Sequence, residues 1–338
     1  MHKDLVSVII PMYNAQKFIE KCIRSIQTQT YSDLEILVVD DESTDEGPAI
    51  VEKMADEDER IQLLKVENGN AAVARNGGLD AMSGEYFTFV DADDYVSPDY
   101  IEKLKKRMDE TGANLVITGR KEYRLNPDGT YTLTRELVPG NYERFSHEEW
   151  AMRFGEAWGK LYRRDFYDRY GCKFISEGAN AFGEDMPHSL FHHCMCENIA
   201  MLSESNYFYI LHNESTMSKY QKSRNKKMPF SSLEQTIRQI ADLGGPKNGR
   251  DYYEWYVIRM LATFTDLTRG RSKECISELN QYIDHIIRTY FPDVKKNRLI
   301  RLSAKVEVPK MQQVAVVLLV RLYWMKMLSP FLNVYCRI

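Results

Sequence analysis

Short apolar runs alternate with helical patterns through the first part of this chain, and most of the runs stop at a polar cluster. Residues 5–10 lead into Pro11, Tyr13 and Asn14. Residues 34–39 lead into Asp40 and Asp41, and residues 84–90 into Asp91, Ala92, Asp93 and Asp94. Residues 61–66 read as a further strand. Phe18, Ile19, Cys22, Ile23 and Ile26 fall on one helical face, and residues 70–82 read as a second helix. Strands alternating with helices imply βαβ units and a mostly parallel sheet. Parallel strands share a direction, so their polar ends gather along one edge. That edge is where open α/β sheets take ligands. Asp91 and Asp93 are two apart, so a turn there can aim both at one hard cation. Acid pairs also cap helices, and the spacing alone does not choose between the two uses.

The rest of the chain carries less local signal. Residues 121–140 read as a hairpin around Asn126-Pro-Asp-Gly129. Trp158-Gly-Lys160 precedes Glu184-Asp185-Met-Pro187, where Pro187 suits a first helical turn and the acids read from local pattern as a helix cap. His188 and His192 are four apart but lack a closed ligand set, which argues against zinc. His212 reads as a surface histidine. Tyr13 can either stack on a base or pack over the sheet edge. Six cysteines in 338 residues make no disulfide framework and read as reduced packing residues.

Charge is unevenly spread. From Lys295 onward there are nine Lys and Arg against one acid, Glu307, so this tail is about +8 and residues 1–294 about −12. An acidic body argues against nucleic-acid binding, which needs a broad basic face. No secretory signal is visible, because the first apolar run is cut by Pro11. Residues 219–227 read as a basic linker. Helices are expected at about 231–242, 251–268 and 272–290. The apolar run at 314–320 is too short to span a bilayer. With Trp324, Arg321 and Lys326 it reads instead as an interfacial helix on anionic lipid, or as a helix packed on the protein body.

Taken in order, the segments 7–14, 26–30, 38–45, 74–76 and 84–94 resemble family 2 glycosyltransferases with the GT-A fold. Glu42 departs from the glycine many members carry, at a turn position. The resemblance implies a GT-A, Rossmann-like, mostly parallel α/β domain followed by a C-terminal helical extension. It places the catalytic domain at 1–220, with a nucleotide-binding half at 1–100 and an acceptor half at 101–220, and the helical region at 221–338. It implies that Pro11, Tyr13, Asn14, Asp40, Asp41, Arg75, Asp91 and Ala92 bind a nucleotide-sugar donor, a UDP-sugar by family habit. Asp41 would accept from the base, and Arg75 would lie near the diphosphate. Asp91 and Asp93 would hold Mn²⁺ or Mg²⁺. Asp185 would be the general base, with Glu184 the adjacent alternative. The acceptor implied is a glycan or lipid-linked glycan, and the place the cytoplasm or the inner face of the membrane. Two rival classes are a catalytically degenerate nucleotide-sugar-binding module and a sugar nucleotidyltransferase. The latter usually opens with a Gly-rich basic loop, which Pro11-Met-Tyr-Asn14 is not.

Overall fold

The computed structural model describes residues 2–67, 70–139, 155–176, 184–213, 215, 230–247, 249–268, 272–304 and 310–335. The chain forms two compact units. One takes in Met1–Phe145 and Glu156–Ser232, the other Ser146–Gly155 and Leu233–Ile338. The boundary expected near 220 lies outside the described residues.

The first unit opens as the alternating pattern predicts: β1 (His2–Met12), α1 (Ile19–Gln27), β2 (Leu34–Asp40), α2 (Gly47–Glu57), β3 (Ile61–Lys65), α3 (Ala71–Ala81) and β4 (Gly84–Phe89). It continues with β5 (Tyr95–Val96), α4 (Tyr100–Thr111), β6 (Leu115–Leu125), β7 (Tyr131–Leu137), β8 (Lys160–Arg163), α5 (Arg164–Tyr170), α6 (Asp185–Met195) and β9 (Ile199–Leu211). The strands make one nine-stranded sheet in the order β3-β2-β1-β4-β8-β6-β9-β5, with β7 paired to β6. The β3-β2-β1-β4 stretch is parallel throughout, whereas β8 enters antiparallel to β4 and β6.

The chain runs outward from β1 to β3 and then returns through α3 to place β4 on the other side of β1. That reversal makes the β1/β4 boundary a topological switch point. Register brings Met12 level with Asp40 and Ile9 level with Phe89, so the polar ends of the three strands meet there. β2 is buried along its whole length, as expected of a strand covered on both faces. The hairpin between β6 and β7 closes as expected, with Asn126 N–H donating to Thr130 O at 2.9 Å and Gly129 at φ +82°.

α3 lies close on the sheet because of its glycines. A Cβ on Gly78 would come within 2.3 Å of Ile9 Cγ2 in the core of β1. Gly78→Val is therefore expected to cost about 2 kcal/mol through overpacking, read as a lower urea midpoint.

The second unit is helical: α7 (Phe230–Asp242), α8 (Arg250–Leu267), α9 (Lys273–Tyr290), α10 (Lys310–Trp324) and α11 (Leu328–Tyr335), with a 3-10 turn at Val294–Lys296. The three helices expected from periodicity correspond to α7, α8 and α9. α8 buries Trp255, Tyr256, Leu261 and Phe264 and forms the centre of the unit. Trp255 Nε1 donates to Gln313 Oε1 at 2.8 Å, and Gln313 Nε2 donates to the carbonyls of Leu299 and Arg301 at 2.7 and 2.8 Å. This pairing satisfies buried polar groups and fixes α10 on α8. The expected interfacial helix therefore packs one face, through Val316, Val317 and Val320, inside its own unit. Among the described residues no helix is long and apolar enough to cross a membrane.

Candidate active site

The site grows from the strand ends at the β1/β4 boundary. Beyond β1, Asn14 takes the left-handed conformation (φ +49°), which asparagine tolerates better than most residues. Its N–H donates to Ser43 Oγ at 2.9 Å, and its Oδ1 accepts from Thr44 N–H at 2.8 Å. Asp40 Oδ1 accepts from Ser43 N–H at 3.1 Å. Asp41 N–H donates to Met12 O at 2.9 Å, and its Oδ2 accepts from Asn70 N–H at 3.0 Å. These bonds join the loops after β1 and β2 to the start of α3. Pro11 is half-buried at the β1 end, and the Tyr13 ring stands 54% exposed beside it, open to stacking. Glu42 lies in this same turn at φ +57°, a conformation that favours glycine.

Below that rim sits Arg75, on α3, with only 3% of its side chain exposed. Its Nη2 donates to Asp91 Oδ1 at 2.8 Å. Its Nη1 donates to Glu184 Oε1 and to Asp185 Oδ1, each at 2.8 Å. Burial disfavours the charged guanidinium, but Asp185, Asp91 and Glu184 together outweigh it and hold the pKa well above its usual value. One guanidinium thus gathers the first acid after β4 and both acids at the start of α6. Both Nη atoms are committed to carboxylates, and the buried Nε has no partner among the described residues.

Glu184 occupies the N-cap position of α6 but makes no side-chain cap bond; its carboxylate goes to Arg75 instead. The local capping interpretation is thereby replaced by a tertiary one. Burial pushes the Asp185 carboxyl up to about 8; Arg75 opposes this, while Glu184 and Asp91 reinforce it. A carboxyl poised near neutral pH suits proton transfer.

Asp91, Asp93 and Asp94 each offer an oxygen, all within 4.8 Å of one another. Ala92 between them is buried. Asp94 is committed to the fold: its Oδ2 accepts from the Tyr207 hydroxyl and its Oδ1 from Ile210 N–H, both at 2.8 Å. Tyr207 in turn accepts from Asp91 N–H at 3.1 Å, so β9 holds the acidic loop in shape. Burial first, and then Asp93 and Asp91, raise Asp94 well above the ordinary carboxylate range. Hard oxygens in excess over the neighbouring positive charge are the donor set a divalent cation takes. Asp91 and Asp93 are therefore the acids that fit one.

His212 corrects an expectation. It is not a surface residue: its side chain is almost covered, its Nε2 lies 2.8 Å from Asp93 Oδ2, and its ring lies 4.5 Å from that of Phe18. The hint in the sequence was its place just after an apolar strand, where the family resemblance puts a polar residue close to the diphosphate or acceptor. His188 and His192 lie in the aromatic core, where His188 stacks on Phe174 at 3.8 Å. Burial holds both imidazoles below their usual pKa, so they are neutral packing groups. Trp158 also faces inward, stacked on Tyr207 and Tyr209 at 4.2 and 5.3 Å. Lys160 donates to Glu156 O at 2.6 Å and to Ser189 Oγ at 3.0 Å, tying β8 to the helix that carries Asp185.

Comparison with known proteins places the chain among glycosyltransferases. Residues 7–171 match the model of Glycosyl transferase family 2. Glycosyltransferase GlyA of Streptococcus pneumoniae is 30% identical over 72% of this chain, which spans 36% of GlyA. Uncharacterized glycosyltransferase EpsJ of Bacillus subtilis is 35% identical over 61% of this chain, which spans 60% of EpsJ. Residues 1–349 of Staphylococcus aureus TarS, solved in complex with UDP-GlcNAc, superpose with a TM-score of 0.62 at 17% identity, covering 87% of this chain and 91% of that one. At that identity the likeness shows the shared fold. Uncharacterized glycosyltransferase YibD of Escherichia coli is 30% identical over 70% of this chain and 72% of its own length. The chain belongs to glycosyl transferase family 2.

Proposed function

We propose that this chain transfers a sugar from a UDP-sugar to a hydroxyl of a glycan or lipid-linked glycan, with inversion at the anomeric carbon. The observation that carries this reading is Arg75, which draws the acids of the β4 edge and the α6 acids into one site beside the loops after β1 and β2. The TarS structure with UDP-GlcNAc supports a UDP-sugar as the donor class.

Tyr13, Asn14, Pro11 and the Asp40–Asp41 turn would line the nucleoside pocket, with Asp41 accepting from the base. Asp91 and Asp93 would hold Mn²⁺ or Mg²⁺, with His212 positioned to orient Asp93. When bound, such an ion supplies charge neutralisation for the leaving diphosphate. Asp185 takes the proton from the acceptor hydroxyl as its oxygen bonds to the anomeric carbon. The bond from that carbon to the phosphate oxygen breaks, and its electron pair leaves with the nucleoside diphosphate. Arg75 keeps Asp185 and Asp91 in a fixed relation throughout, a positioning role that its committed Nη atoms suit better than a direct phosphate contact. The setting implied is cell-surface polysaccharide synthesis on the cytoplasmic side of a membrane.

The test is a thermal-shift panel of UDP-, GDP- and dTDP-sugars, each with Mn²⁺ and with EDTA. A donor at a hundred times its Kd adds about 2.7 kcal/mol to stability. A Mn²⁺-dependent shift with UDP-sugars, lost in Asp93→Ala, is the expected result. No shift with any donor would favour the degenerate binding module, and pyrophosphate release on turnover would favour the nucleotidyltransferase.

A further inference from the structure

The second unit carries a surface that the transfer reaction does not use. Seven of the twelve large apolar side chains exposed among the described residues fall between Leu302 and Val334. On α10 the face opposite the packed one runs through Met311 and Leu318, and Met325, the first residue past the helix, continues the same spacing of seven and therefore the same stripe. Met311 is 77% exposed and Met325 60%. The stripe ends in the turn before α11, where Trp324 and Met327 also face outward.

That turn is built rather than frayed. Met325 N–H donates to Arg321 O at 3.0 Å, Lys326 N–H to Tyr323 O at 3.0 Å, and Met327 N–H to Leu322 O at 2.8 Å. The last of these is the long bond of a helix-terminating motif whose left-handed residue is usually glycine. Here that residue is Lys326, at φ +58°. A lysine thus stands where glycine would fold at lower cost, flanked by two exposed methionines.

α10, the turn and α11 carry no acid. Arg301, Lys310, Arg321 and Lys326 make no ion pair among the described residues, and Lys295 Nζ lies 4.6 Å over the Trp324 ring. Two acids of the same unit are paired, Asp284 with Arg288 at 2.8 Å and Asp293 with Lys296 at 2.7 Å. Exposed apolar side chains rimmed by unpaired cations, with a tryptophan at the boundary, match the chemistry of an anionic bilayer surface.

We propose that the outward face of α10 and the turn leading into α11 dock the protein peripherally on anionic lipid. The methionines and Trp324 enter the headgroup boundary while Lys326 and Arg321 meet lipid phosphates. A second copy of the chain would meet the same cations and gains nothing from them.

The test is co-sedimentation of the full chain with phosphatidylglycerol-containing vesicles and with pure phosphatidylcholine vesicles, without donor or metal, so that its outcome is separate from the catalytic reading. Binding is expected to the anionic vesicles alone and to fall with added salt. The double variant Met325→Asp/Met327→Asp should weaken it by about tenfold or more. Lys326→Gly should weaken it by about fivefold while leaving the melting temperature unchanged or higher, because glycine suits that turn. No wild-type binding to anionic vesicles, or binding undiminished in both variants, overturns the proposal. A dimer in sedimentation velocity that the Met325→Asp/Met327→Asp variant dissociates, with no vesicle binding, would assign the face to a second copy instead.

Discussion

An Asp185→Asn protein is expected to keep donor binding and to lose about 10²–10⁴-fold in kcat, the contribution of a positioned general base. Asparagine is the informative choice because its carbonyl oxygen can still accept from Arg75 Nη1, which lies 2.8 Å from Asp185 Oδ1 in the native protein. Geometry is then preserved while the basic carboxylate is removed. The donor-induced melting shift should match that of the wild type, and initial rates of nucleoside diphosphate release should collapse. Glu184→Gln should cost much less, because its role is to share Arg75. Near-normal turnover in Asp185→Asn, together with loss in Glu184→Gln, would move the base to the neighbouring acid.

Arg75→Met is expected to be damaging in a different way. It leaves Asp91, Glu184 and Asp185 together without their common cation. Breaking a buried ion pair from one side costs about 3–5 kcal/mol. Because these carboxylates are 16–24% exposed, the lower end, about 3 kcal/mol, is the expectation. Urea denaturation reads that loss, and Mn²⁺ should restore part of it by supplying positive charge to the same acids. Arg75→Lys keeps the charge but not the fork, since an ammonium cannot reproduce the planar geometry that reaches three carboxylates. It should recover most of the stability and little of the transfer rate. If Arg75→Lys transferred sugar at the wild-type rate, the guanidinium would be supplying charge alone.

The elements of the first half were legible because their determinants are local. A period of two or an unbroken apolar run marks β1, β2 and β4, and a period near 3.6 marks α1. The strand-end location of Asp40, Asp41 and Asp91 follows from the same pattern, since parallel strands must finish on one edge. Three roles were not legible. Asp94 reads in the sequence only as one more acid of the cluster at the strand end, yet its oxygens are taken by Tyr207 and Ile210. Glu184 looks like a helix cap, yet it bonds Arg75, 109 residues away. His212 looks exposed, yet it lies against Asp93, 119 residues away. Each depends on a partner brought close by sheet order, which no local window contains.

The C-terminal unit shows the same division. Periodicity located α7, α8 and α9, and composition marked the basic, apolar tail. It could not say which side of α10 would be buried, because residues 314–320 are apolar all round the helix. The hydrogen bond from Trp255 to Gln313 helps turn one face inward onto α8. Local pattern thus determined where strands, helices and acidic ends lie along the chain. Which acids face a shared cation, and which apolar side chains remain exposed, was decided by long-range packing, because burial and pairing are properties of neighbours in space.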